Sequence, residues 1–130
     1  MIEFQLDERS GVATYLQLVH QVKHALRLGL LQPGDQLPTA REVVGRLAIN
    51  PNTVLKAYRD LERAGLVSPR PGLGTFVVRS LAGPDADGRR RLQRELARWM
   101  RAALESGLDL EDIEALYRTT IRSCTTEGVA

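Results

Sequence analysis

The stretch INPNTVLKAYRDLERAGLV, residues 49–67, is bounded like a helix and has two unlike faces. Asn50 is a favoured N-cap, because its side-chain oxygen can accept from a first-turn N–H that has no intrahelical partner. Pro51 follows at the first helical position, where its missing N–H removes nothing the helix needs. Val54, Ala57, Tyr58 and Leu61 recur at i, i+3, i+4 and i+7, the spacing of one buried stripe. Gly65 supplies the left-handed residue on which helices commonly stop. Opposite the stripe fall Asn52, Lys56, Arg59 and Arg63, an amide and three cations. Alone, such a face is most simply a solvated one. Its neighbours change that reading.

Upstream, residues 14–28 are apolar at helical spacing, with Leu16, Val19 and Leu26 on one line and Leu18, Val22 and Ala25 beside it. Gly29 ends this helix and Pro33-Gly34 makes a turn. A second helix starts at TARE, where Thr39 caps and Glu42 reaches back as a capping box. Val43, Val44 and Leu47 form its apolar side, and it ends near Ala48. The two or three residues before the quoted helix force a steep crossing of the pair. Downstream, LVSPRPGLGTFVVR reads as a hairpin: Leu66 and Val67 begin a strand, RPGLG turns, and TFVV alternates back.

Residues 80–88, SLAGPDADG, read as a linker. Two helices follow, about 89–105 (Leu92, Leu96, Trp99, Met100, Ala103) and 110–123 (Ile113, Leu116, Tyr117, Ile121). Gly107 separates them, Asp109 caps the second, and the tail from Thr125 is expected to fray. The expected organisation is therefore a reading head over 1–79, a linker over 80–88 and a helical extension over 89–130. The fold class is mainly α with a small β-hairpin.

Composition bounds the function. The 130 residues hold 26% charged and 43% apolar side chains, ordinary for a folded soluble domain. No apolar run approaches the ~18 residues that span a bilayer, and the start MIEFQLDERS lacks the parts of a signal peptide. The single Cys124 forbids an internal disulfide. These features predict a cytoplasmic chain. Net charge is only +2, but it is unevenly placed: Thr39 to Arg79 carries seven cations against three acids, the remainder eleven against thirteen. Positive charge thus gathers around the quoted helix.

Helix, steeply crossed helix pair, then hairpin is the order of a winged helix-turn-helix, whose second paired helix enters the DNA major groove. Asn52 has the geometry to bond adenine bidentately, and Lys56 to reach guanine or a phosphate. Arg41, near the start of the first paired helix, would meet the backbone; Arg59 shares the outward face, while Arg63 is plain surface. At the wing, Gly72 and Gly74 permit close backbone approach, with Arg70 beside them.

Residues 31–77, LQPGDQLPTAREVVGRLAINPNTVLKAYRDLERAGLVSPRPGLGTFV, resemble the DNA-binding domain of the GntR family of bacterial transcription regulators. With VATYLQLVHQVKHALRLG before it, the resemblance covers residues 12–78, about half the chain. It is carried by PG then LP before the capping box, NPNTV into the helix, and GLGTFV at the wing. The short two-helix extension resembles the YtrA-type branch. The resemblance implies DNA contacts from Arg41, Asn50, Asn52, Thr53 and Gly72, and a dimeric repressor on a two-fold symmetric operator, often of a transporter operon. The chain departs from the family where many members carry two arginines, here Pro51 and Leu55. Leu55 could touch a thymine methyl instead.

Competing readings are weaker. His20 and His24 are four apart on one helix face, but no second ligand cluster joins them, so no metal is expected. The sequence GRRRLQRELARWMR could lie on a membrane surface, yet its interspersed acids favour a helix pair that dimerises. Cys124 reads as an inert thiol. No nucleophile pairs with a histidine and an orienting acid, so neither an enzyme nor a cofactor is implied. The alternative from another class is a winged helix used for protein–protein assembly. Packed only on each other, the two C-terminal helices would leave apolar side chains wet, so Leu92, Leu96, Trp99, Met100, Ile113, Leu116 and Tyr117 are the expected homodimer face. A small-molecule effector, if one exists, is expected between subunits or helices, not enclosed in one subunit.

Overall fold

In the computed structural model, which describes residues 2–83 and 85–129 (the side chains of 86 and 127–129 excepted), five helices and one antiparallel two-stranded sheet form. They are α1 (Thr14–Arg27), α2 (Ala40–Leu47), α3 (Pro51–Arg63), β1 (Val67–Arg70), β2 (Gly74–Val77), α4 (Ala86–Glu105) and α5 (Leu110–Val129). The chain divides into two compact units between residues 84 and 85.

Local chemistry sets the bounds of α2 and α3. The Thr39 hydroxyl accepts from the Glu42 N–H at 3.1 Å and donates to the Glu42 carboxylate at 3.2 Å. The reciprocal half of the expected capping box thus closes on the hydroxyl rather than on the Thr39 backbone N–H. Asn50 Oδ1 accepts from the Asn52 N–H at 2.8 Å, with Pro51 at the first turn. At the end of α3, Leu66 N–H donates to Leu61 O and Gly65 N–H to Glu62 O. That is a Schellman stop, and it presses buried Leu66 against buried Leu61. Helix α2 stops differently, on Ala48 in the left-handed region at φ 53°.

Helix α1 packs across α3, and α2 crosses it, around one cluster in which Leu18, Val22, Leu26, Val54, Ala57 and Leu61 are wholly buried. Burying each Val or Leu stabilises by about 1.5–3 kcal/mol. The hairpin closes the unit with Val67 opposite Val77 and Arg70 opposite Gly74. Residues before α1, left unassigned by sequence, form an irregular arm that places Phe4 in the core. Two glutamines of α1 hold it: Gln21 accepts from the Gln5 N–H at 2.9 Å, and Gln17 accepts from the Asp7 N–H at 2.8 Å. Each returns its amide to the same residue's carbonyl, so side chains imitate a strand partner.

In the second unit, α4 begins at Ala86, three residues before its expected start, because Asp85 acts as an N-cap whose carboxylate accepts from the Gly88 N–H at 2.9 Å. Residues 86–88, read as linker, are helix. Asp109 caps α5 as expected, with reciprocal bonds to Asp112 at 2.8 and 2.9 Å. Helix α5 runs on to Val129 through the segment expected to fray. There the Thr125 and Thr126 hydroxyls bond back to the carbonyls of Ile121 and Arg122.

Candidate nucleic-acid interface

One face of α3 is spent on the core: Val54, Ala57 and Leu61 are fully buried, and Tyr58 is 8% exposed. The Tyr58 hydroxyl donates to Pro38 O just before α2, tying the helix pair together. Burial raises its pKa far above the ordinary phenol value, and the Glu42 charge adds to the shift. The phenol therefore stays neutral and donating. With that face fixed, Asn52, Leu55, Lys56, Arg59 and Arg63 stand exposed on the rest of the helix, and Thr53 is half-buried.

The exposed groups are not equally free to act. Asn50 uses its carboxamide oxygen as the cap, which leaves its amide nitrogen for other partners. Lys56 places its Nζ 4.0 Å from the centre of the Tyr15 ring on α1. A cation over an aromatic face is stabilised by the ring quadrupole by about 0.5–1 kcal/mol at an exposed site. Tyr15 thus gives Lys56 a preferred position, a role that sequence spacing on α3 alone did not reveal. Arg63 pairs with Asp60 at 3.7 Å, in keeping with plain surface. Arg41 and Arg59 are exposed.

At the wing, Gly72 is exposed with φ 76°. The Arg70 guanidinium lies 4.5 Å from the Phe76 ring centre across the strand pair. Arg41, Asn52, Thr53, Lys56, Arg59, Arg70 and Gly72 all belong to one compact unit. His20 and His24 are exposed on α1 beside Glu3 and Asp7 of the arm. Among the described residues no three His, Cys, Asp or Glu side chains converge as metal ligands.

The C-terminal unit presents a different surface. Leu92, Leu96, Trp99, Met100, Leu116 and Tyr117 are 57%, 52%, 45%, 39%, 43% and 59% exposed. Ile113, expected among them, is the most buried of the set at 4% exposed, and it still lines the groove that the others form. Leu96, Trp99, Met100, Leu116, Tyr117 and Ile121 line an open apolar groove of about 590 Å³. Among the described residues no helix is long and apolar enough to cross a membrane.

Comparison with known proteins agrees with this geometry. Residues 14–77, from the first residue of α1 to the last of β2, match the gntR family of bacterial regulatory proteins. The transcriptional repressor YtrA of Bacillus subtilis (strain 168) is 34% identical over 110 residues, which covers 84% of this chain and 85% of that one. Among solved structures, YtrA from Sulfolobus acidocaldarius, a GntR-family transcription factor, aligns with TM-score 0.53 and 32% identity, covering 72% of this chain and 97% of that one. The AraR DNA-binding domain, solved in complex with an operator, aligns with TM-score 0.50 and 26% identity over 59% of this chain and 93% of its own. With the family match spanning its helix pair and wing, and the YtrA relative aligning over most of both chains, this chain belongs to the GntR family, as a winged helix-turn-helix DNA-binding transcription regulator of the YtrA type.

Proposed function

We propose that the chain is a dimeric repressor that lays two copies of α3 in the major grooves of a two-fold symmetric operator. In this reading residues 1–79 are the reading head and residues 89–130 the dimerisation extension. Asn52 and Thr53 read base edges at the start of α3, and Asn50 contributes its free amide nitrogen. Lys56 and Arg59 reach bases or phosphates farther along. Arg41 holds the backbone from α2, and Arg70 and Gly72 engage the flanking groove from the wing. Repression follows from occupancy, since a dimer covering the operator blocks polymerase. The work is done in the cytoplasm on an operon, of the kind that in this branch often encodes a transporter. Any effector acts between the paired extensions by changing the spacing of the two heads.

The observation that supports this most is the division of labour on α3. A helix with one face wholly buried and the other lined by an amide and cations fits a groove of negative potential. The B. subtilis relative is a repressor by name, and the AraR domain was solved on an operator. The test is selection of bound sequences from random duplex DNA, followed by titration of the enriched site at several salt concentrations. A palindrome with half-sites about one or more helical turns apart, and a steep fall of log affinity with log salt, are the expected results. Enrichment of no sequence, or binding indifferent to salt, would sink the proposal.

A further inference from the structure

Gln36 lies just before α2, far in sequence from the hairpin it touches. Its backbone bridges to Phe76 of β2. Around that bridge, Gly34 N–H donates to Val77 O at 2.8 Å, Val77 N–H to Asp35 O at 2.8 Å, and Leu37 N–H to Thr75 O at 2.9 Å. Residues 34–37 thereby serve β2 as a third strand, which a two-stranded hairpin needs because alone it is marginal in water. That support stops at Thr75. Beyond it, the tip at 71–74 is closed by the pairing of Arg70 with Gly74 and by a turn bond from Leu73 N–H to Arg70 O at 2.9 Å. The Gln36 side chain then crosses to it, and Nε2 donates to Leu73 O at 2.9 Å.

Gly74 is shaped for that crossing. A Cβ at this position would stand 2.6 Å from the Gln36 amide nitrogen, and φ is 125°, where an L side chain is strained. The missing side chain and the unusual φ serve one arrangement, a carboxamide passing over the strand to reach the tip. We propose that Gln36 is the positioning residue of the wing, holding Arg70 and Gly72 in place before DNA arrives. The tether rests on these contacts alone; its effect on binding rests on the reading of the wing as a DNA contact. A tip ordered in advance moves the ordering cost from binding to folding, which tightens the complex.

The test uses the full chain and the duplex that the wild type enriches from random DNA. By ¹⁵N relaxation, Gln36→Ala should lower the order parameters of residues 72–74 from about 0.85 toward 0.6, with Thr75–Val77 unchanged. Gln36→Glu, which loses the donor, should do the same. Affinity for the enriched duplex should fall about three- to tenfold, the worth of one neutral hydrogen bond. A general structural defect would add to any other loss, whereas a tether acts through the tip. In the Arg70→Ala background, therefore, Gln36→Ala should cost less than about twofold. Unchanged order parameters at 72–74, or losses that simply add to that of Arg70→Ala, overturn the proposal. If the wild type enriches no duplex, the DNA reading falls and the relaxation data still decide the tether.

Discussion

Sixteen side chains of the N-terminal unit, from Phe4 to Val77, form one buried cluster, whereas Ala103 and Ile113 are the buried apolar residues among those described in the C-terminal unit. The first unit buries a core within itself, with its exposed apolar side chains, such as Leu30 and Leu73, outside that cluster. The second also carries apolar stripes but leaves Leu92, Leu96 and Trp99 roughly half in water. Two helices have one mutual seam, so a stripe wider than that seam stays uncovered. Units near 40 residues seldom stand alone without a disulfide, a metal or a partner. The contrast separates a head with its own core from an extension with an open apolar face, which in the proposed dimer a second copy of the chain covers.

Ending the chain after Gly83 tests that contrast most severely. The head should still unfold cooperatively, since its cluster is intact, but should sediment as a monomer. Its preference for a palindrome over a half-site should fall by about 10²–10⁴, the usual gain from linked binding. A shortened chain that still dimerises and keeps its preference breaks the comparison. Next in size, Leu61→Ala in the head should cost about 2–5 kcal/mol at any protein concentration. Leu96→Ala should cost little at high dilution and more as concentration rises and dimers form. Melting both variants across a dilution series distinguishes the two kinds of burial.

Arg41→Ala and Lys56→Ala should leave folding intact and weaken operator binding. A lost base contact costs about 1–3 kcal/mol and relaxes one position, while a lost phosphate contact lowers the salt slope by about one. Unchanged affinity in both would remove this face of the head from the interface.

Tyr58 sets an alkaline limit on the head alone. Its folded pKa lies above the ordinary 10.0, so the unfolded chain gives up the proton first. Stability is full below pH 10 and falls as pH rises above it, by about 1.4 kcal/mol per pH unit. Tyr58→Phe should remove this slope, at the cost of the bond to Pro38 O; a slope that persists belongs to another group. The smallest effect is expected at Ala48, whose left-handed φ of 53° strains an L residue by ~1–2 kcal/mol. Ala48→Gly relieves this but loosens the unfolded chain by ~0.4–1 kcal/mol. A rise of roughly 0.5 kcal/mol should appear in denaturant titration, and a fall would show that the turn holds no strain.

The bounds of α1 to α3 and the hairpin were legible because their signals are local. Thr39 and Glu42, or Asn50, Pro51 and Gly65, act within three or four residues of chain. The same locality explains what was missed. Asp and Gly serve turns and helix first turns alike, so PDADG read as linker although Asp85 caps α4. Ile113 carries the same periodic mark as Leu116, and periodicity cannot tell that it lies deeper in the groove they both line.

Sequence alone therefore determined what short-range sterics and hydrogen bonding determine: where α1, α2 and α3 start and stop, which face of each helix is apolar, and where positive charge gathers. Tertiary structure decided which distant groups meet. Phe4 enters the core because Gln17 and Gln21 hold its arm. Lys56 rests on Tyr15 because α1 packs across α3. Gln36 reaches Leu73 because residues 34–37 pair with β2. Each contact joins positions whose separation along the chain carries no periodic signal, so only the packed core brings them within bonding distance.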